Sequence, residues 1–364
     1  MYFSHIEIRS LRNITQSTLD CVPAINFIFG ANGAGKTAIL EAIYLLGSGR
    51  SFRTHYAKEL IKDSADELIV RARFSKEGGT EHQAAVLRNR RGDIRIRLDH
   101  EDLRSTGELA RLIPLMVIHP GMHELILGGP GQRRRFLDWG LFHVEQGFFA
   151  VWKNYNHALE QRNALLKKGG QDSSIQAWTD ALTEYGDRLT AQRQGFVESL
   201  CERMRYWCEF FNVGGEVSVE YRRGWDKQHS LAEALAHSLP QCVRYRTTTV
   251  GPHRADLKIL LEGTPAKSRA SRGQMKMLIY AMVFAQLDLH RELTGEHACL
   301  LCDDPVAELD VNHQTRLVEA IRQTGVQAFL TGVEFPHLPT DPRDARFHLE
   351  EGECISDGPP IASK

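Results

Sequence analysis

Over roughly the first 120 residues, apolar positions recur every second residue in short runs: HIEIRSL, INFIFG, ELIVRARF, QAAVLRN, IRIRLD and LMVIH. A period of two predicts strands, and one helix, AILEAIYLL, follows the first glycine cluster. From Pro130 the apolar spacing changes to three and four. The segments RRRFLDWGLFHVEQGFFAVWKNYNHALEQRNALLKK and SIQAWTDALTEYGDRLTAQRQGFVESLCERMRYWCEFF predict two long helices joined by the turn GGQDSS. Helices of roughly 35 residues are about 50 Å long, which predicts an inserted helical-hairpin arm. After Asn212 strand signals return in EVSVEYR and TTTVGPHRADLKILL, followed by a helix from Ser271, the strand ACLLCDD, another helix and the strand QAFLTG. Alternating strands and helices belong to a parallel sheet, so the expected class is α/β, a mixed sheet with a parallel core. The expected division is residues 1–120 and 245–364 for the two parts of the body, with 121–244 as the arm.

Composition changes this picture little. The chain has 364 residues, 42% apolar and 25% charged, enough for more than one core and typical of a globular protein. A formal net charge of −1 neither supports nor excludes a nucleic-acid partner, because a basic surface can be local. No stretch of about 18 uninterrupted apolar residues occurs and no leader precedes the first strand, so a cytoplasmic protein with no membrane partner is expected. The cysteines are odd in number and scattered, which suits a reducing compartment. Cys299 and Cys302 make a CxxC without a second pair, inside an apolar run, and read as buried strand residues rather than metal ligands.

Chemistry enters with GANGAGKT, Gly30, Ala31, Asn32, Gly33, Ala34, Gly35, Lys36 and Thr37, which fits GxxxxGK[ST] between an apolar strand and a helix. In that pattern consecutive N–H groups close around a phosphate, Lys36 reaches the β/γ oxygens, and the Thr37 hydroxyl ligates Mg²⁺. ATP and Mg²⁺ are therefore the expected cofactors. A strand ending in Asp303 supplies a carboxylate for the same metal, and Asp304, next in line, is placed to activate the attacking water. SRGQ, Ser271 to Gln274, starts a helix where four N–H groups lack intrahelical partners. It reads as a serine cap or as an anion site.

Taken with LRNITQ, GRSFRT, GGPGQRRRFLDWGL, TTTVGPHRADL and DDPVAELD, these motifs resemble the ATP-binding-cassette-type ATPases, and more narrowly the RecF family, related to the heads of the SMC and Rad50 proteins. The resemblance spans most of the chain. It implies a P-loop ATPase head with an inserted arm and an ATP-driven, head-to-head homodimer. In that dimer Ser271, Arg272, Gly273 and Gln274 contact the nucleotide bound to the other chain. It implies Asp310 as the residue of the loop between subunits, where a helix N-cap is an equal reading, and Thr331 as a γ-phosphate sensor. Asp304 stands where transporters carry glutamate, which implies slow turnover, and the glutamine that usually precedes the insertion is not evident around His119. The implied function is repair and replication: a dimer clamping double-stranded or gapped DNA, stimulated weakly as an ATPase, with RecR-type mediator and recombinase-loading partners. An ATPase subunit powering a transporter is the alternative.

Arginines mark candidate DNA contacts at Arg50, Arg53, Arg90, Arg91, Arg133 and Arg134, with a solvated charged face as the equal alternative. Arg254 reads as a nucleotide or dimer contact, or as the partner of Asp256 or Glu262. Trp139, Trp152, Trp178 and Trp207 fall at helical spacing and are expected in the arm's core.

Overall fold

A computed structural model describes residues 1–54, 56–169, 174–335 and 338–356. The chain forms two compact units, Met1–Gly121 with His290–Lys364, and Met122–Leu289.

The first unit holds two sheets. One is antiparallel, built from β1 (Tyr2–Leu11), β2 (Ile14–Asp20), β4 (Glu67–Ser75), β5 (Glu81–Asn89), β6 (Ile94–Leu98) and β7 (Glu101–Asp102) in the order β2-β1-β4-β5-β6-β7. Its strands alternate: Ile6, Ile8, Leu68, Val70, Phe74, Val86 and Ile96 are buried, while Glu67, Arg71 and Arg73 of the intervening positions are exposed. Each large apolar side chain buried this way contributes roughly 1.5–3 kcal/mol. The second sheet combines β3 (Ile25–Phe29), β8 (Leu115–Ile118), β12 (Cys299–Cys302), β13 (Ala328–Gly332), β14 (Ala345–Glu350) and β15 (Glu353–Ser356), ordered β15-β14-β3-β13-β12-β8. All its pairings are parallel except β14 with β15. Helix α1 (Lys36–Ser48) leaves β3 and lies in the same core as the antiparallel sheet, with Ile39, Leu40, Ile43 and Leu46 buried. A short α2 (Thr106–Leu112), which the sequence pattern does not predict, packs on it. Helices α11 (Pro305–Glu308) and α12 (Val311–Thr324) connect β12 to β13.

The second unit is mostly helical: α3 (Glu124–Leu127), α4 (Pro130–Val144), α5 (Phe148–Lys167), α6 (Ser174–Phe210), α7 (Leu231–His237), α8 (Leu239–Tyr245), α9 (Ala266–Arg269) and the start of α10 (Arg272–Thr294). A three-stranded sheet ordered β11-β10-β9 completes it, from β9 (Val217–Arg222), β10 (Asp256–Leu261) and β11 (Thr264–Pro265).

Several expectations need correction. The first long helix is two helices, because the chain is extended at Glu145 and turns through Gly147 at φ 85°, where only glycine sits without strain. Four residues of the GGQDSS turn, 170–173, lie outside the described residues. The segment from Thr247 is not one strand, since a 3₁₀ turn occupies Pro252–Arg254 and β10 starts at Asp256. Nor does β10 join the parallel sheet: it pairs antiparallel with β9, and the helical unit consequently continues to Leu289 rather than stopping at 244. Of the four arm tryptophans, Trp207 is buried among Phe211 and Phe284, whereas Trp152 is exposed and stacks on Phe149. Cys299 and Cys302 are buried in β12, and no metal-binding cluster occurs among the described residues.

Candidate nucleotide-binding site

The glycine-rich loop connects β3 to α1 at the carboxyl end of the parallel strands, where ligands of open α/β sheets gather. Gly35, just before the helix, has φ 110°, and a Cβ on Gly30 would collide with the Leu349 carbonyl oxygen of β14, so both positions require glycine. Around Gly33 the space is open. The Lys36 ammonium, 8% exposed, donates to the carbonyls of Gly30 at 2.8 Å and Ala31 at 2.9 Å. Burial pulls its pKa below the ordinary lysine value, and the charges of Asp304 and then Asp303 oppose that shift.

Two hydroxyls converge on one carboxylate. Thr37 Oγ1 and Thr331 Oγ1 each donate to Asp303 Oδ1 at 2.9 Å, and Thr331 Oγ1 in turn accepts the backbone N–H of Asp304 at 2.9 Å. Asp304 itself turns the chain out of β12 in the left-handed region, at φ 51°. Burial, followed by the neighbouring Asp303, raises its pKa above the usual aspartate value. One site thus brings together Lys36, Thr37, Asp303, Asp304 and Thr331, five residues drawn from three separate stretches of sequence. Phosphate oxygens suit the loop's N–H groups and Lys36, and a hard cation suits Thr37 and Asp303.

The loop has a bracket that motif reading missed. The tight turn between β1 and β2 carries Arg12 in the left-handed region, φ 55°. Its guanidinium donates twice to Glu41 of α1, each at 2.9 Å, while Asn13 Nδ2 donates to the Gly33 carbonyl at 3.0 Å. The Glu41 carboxylate is fully enclosed and also accepts Ser51 Oγ, so α1, the hairpin turn and the segment after α1 are tied to one buried charge. The available signal was a lone glutamate at an otherwise apolar position of α1.

In the helical unit, Ser271 and Gln274 form a reciprocal cap on α10. Ser271 Oγ accepts the Gln274 N–H at 3.2 Å and Gln274 Oε1 accepts the Ser271 N–H at 3.0 Å. Arg272 and Gly273 are exposed beside them. Asp310 caps α12, accepting the His313 N–H at 3.0 Å, and its carboxylate remains largely exposed.

The candidate DNA arginines separate into two groups. Arg133 is 9% exposed, donates twice to Asp256, and also reaches the carbonyls of Leu125 and Gly128. Arg134 donates to the Ala255 carbonyl, and Arg90 to the carbonyls of Ala65, Lys62 and Asp63. Arg133 and Arg134 are drawn into the fold, whereas Arg90 is exposed and spends its guanidinium on backbone carbonyls. Arg50, Arg53 and Arg91 are exposed, Arg53 standing 3.8 Å from Glu41. Arg254 is exposed too; of its two expected partners, Asp256 pairs with Arg133 and Glu262 accepts the Glu216 N–H.

Known proteins extend the comparison. The protein named DNA replication and repair protein RecF from Thioalkalivibrio sulfidiphilus is 38% identical over 354 residues, covering 97% of this chain and 98% of its own. The chain belongs to the RecF family. A RecF of the same name from Edwardsiella ictaluri is 35% identical over 355 residues, covering 97% of this chain and 99% of its own, and the family model described as the RecF/RecN/SMC N terminal domain matches residues 2–340. Among solved structures, the recombination mediator protein RecF–ATP in the RecFOR pathway superposes with a TM-score of 0.89 at 28% identity, covering 98% of both chains. An SMC head bound to the C-terminal winged-helix domain of ScpA, at 13% identity and a TM-score of 0.61, shares the fold.

Proposed function

We propose that this RecF-family chain is an ATP-dependent DNA-binding protein of recombinational repair and replication-fork maintenance. ATP closes a homodimer around double-stranded DNA near a gap, and slow hydrolysis reopens it. The observation that carries this reading is the joining of Lys36, Thr37, Asp303 and Thr331 at the mouth of the parallel sheet. Lys36 and the loop N–H groups of residues 30–37 bind the phosphates, Thr37 and Asp303 hold Mg²⁺, and Asp304 accepts the proton of the attacking water. Thr331 fixes Asp303 and the Asp304 backbone together, so it holds both carboxylates in register. That link supports a sensor role for it.

The start of α10, which carries the SRGQ run of residues 271–274, faces the partner's nucleotide in this reading, and Asp310 faces the partner from the tip of α12. A phosphate shared across an interface favours the closed dimer only while it is present, which makes hydrolysis a switch. The exposed Arg50, Arg53 and Arg91 are the remaining candidates for phosphate contacts with DNA. The relatives' name, DNA replication and repair protein RecF, supports DNA as a partner over a transporter, and the RecFOR pathway named for the solved RecF structure supports RecR-type mediators. The same reading makes it a weak DNA-stimulated ATPase, cytoplasmic and associated with the nucleoid. No described helix is long and apolar enough to cross a membrane.

Light scattering with and without ATP and Mg²⁺ tests the switch on wild type, Asp304→Asn and Ser271→Arg. The first two shift from monomer to dimer and the third does not. A Ser271→Arg protein that binds ATP and dimerises as well as wild type would remove the trans contact.

A further inference from the structure

The geometry points to Gln274 as a positioning residue that holds the phosphate-facing start of α10 in place, and not as a contact to the nucleotide. Each end of its side chain already makes a hydrogen bond within the chain. Oε1 accepts the Ser271 N–H at 3.0 Å, and Nε2 donates to the Gly214 carbonyl at 3.1 Å. Gly214 and Gly215, at φ 74° and 90°, make the turn between α6 and β9. That turn is itself fixed, because Glu262 Oε1 accepts the Glu216 N–H at 2.8 Å and the Glu216 carbonyl accepts the Glu262 N–H at 2.8 Å. One amide therefore joins the first turn of α10 to the end of the 37-residue helix α6.

Ser271 is left in the opposite condition. Its Oγ uses one lone pair on the Gln274 N–H, which keeps its own O–H proton free to be given to an anion. A Cβ at Gly273 would meet only Ser271 Oγ, at 4.0 Å. The division of labour is then plain: Ser271 and Gly273 present polar groups outward, while Gln274 sets the direction in which they point. The inference rests on the proposed trans contact for its consequence, although the tether itself belongs to the isolated chain.

Two variants of the full chain separate the cap from the tether. Gln274→Glu keeps an acceptor for the Ser271 N–H but loses the donor to Gly214, and Gln274→Ala loses both. Hydrogen exchange without ATP reads them directly. Residues 212–216 lose protection in both variants, and residues 272–275 lose it only in Gln274→Ala. Unchanged exchange at 212–216 in both variants overturns the tether.

Light scattering and nucleotide binding supply the functional arm. Gln274→Ala keeps wild-type ATP affinity as a monomer, but half-dimerisation with ATP requires roughly thirtyfold more protein, since two symmetry-related copies each lose about one hydrogen bond's worth of order. A fold defect would lower ATP binding and dimerisation together. If wild type dimerises with ATP and Gln274→Ala matches it, the positioning role fails. If wild type does not dimerise, the proposed switch fails while the exchange result still decides the tether.

Discussion

Replacing Thr331 by valine is the most informative single change at the nucleotide site, because one hydroxyl serves two neighbours there. Valine fills the same volume in β13, so the packing around position 331, fully buried, is kept and only polarity is lost. The lost donation to the Asp303 carboxylate, 2.9 Å, is a hydrogen bond to a charged group worth about 1.5–3 kcal/mol. The Asp304 N–H, whose acceptor at 2.9 Å disappears, is left unpaired at a further cost of about 1–3 kcal/mol. Thr37 still donates to Asp303 and Asp304 is half-buried, so the lower ends apply and the sum is about 2.5 kcal/mol. Tryptophan fluorescence is the wrong assay, since all five tryptophans (139, 152, 178, 207 and 225) lie in the helical unit. Hydrogen exchange of the β12 and β13 amides reads the site itself: their opening free energy falls by about 2.5 kcal/mol in Thr331→Val and stays near wild type in Thr331→Ser. Valine behaving like serine would refute the claim that this hydroxyl holds the two aspartates together.

Further predictions follow from other contacts. Lys36→Ala abolishes ATP binding by calorimetry, while Asp304→Asn retains ATP and accumulates as the ATP-bound dimer in light scattering. Because the Asp304 pKa is raised, ionising it costs folding free energy as pH rises through that value. The ATP-free Asp304→Asn protein is accordingly the more stable one at pH 7 in a denaturant titration, and the gap closes in acid. Arg133→Ala breaks a mostly buried ion pair and destabilises the helical unit by about 3 kcal/mol, whereas Arg91→Ala leaves its urea midpoint unchanged and lowers affinity for duplex DNA at low salt. His253, pushed down to about 4 by burial with its Nδ1 2.7 Å from the Tyr155 hydroxyl, stays neutral in the fold while an unfolded histidine takes a proton near 6.5. Stability of the helical unit therefore falls as pH drops from about 6.5 to 4, on the order of 3 kcal/mol by tryptophan fluorescence, and His253→Gln flattens that slope.

The site's chemistry was legible in the sequence where local order suffices. GANGAGKT is contiguous, and the carboxylates of ACLLCDD end an apolar strand, so the strand-end placement of both follows from pattern alone. What pattern could not reveal is partner choice at a distance. Arg133 and Arg134 read as surface charge because nothing in QRRRF shows that Asp256 and the Ala255 carbonyl, more than a hundred residues later, wait for them. Arg12 stands in LRNITQ, yet nothing there names Glu41, 29 residues on, as its partner. The long arm helix was misread because one glycine and one extended residue outweigh a continuous apolar stripe. Strands β14 and β15 lay in a polar segment whose apolar positions are few, and β14 is identified by its neighbour β3 rather than by its own composition.

The position of β3 also bears on how the chain is made. It lies between β13 and β14, so the strand that delivers the phosphate loop has no sheet partner until residues some 300 positions later have been synthesised. At about 5–20 residues per second that is a wait of roughly 15–60 s, during which the helical unit, continuous from Met122 to Leu289, emerges and is free to fold first. The apolar strand INFIF stays unpaired for that interval, exposed to chaperones and to other nascent chains. A ribosome that stops short of β13 consequently releases a folded arm joined to a nucleotide loop with no sheet to hold it.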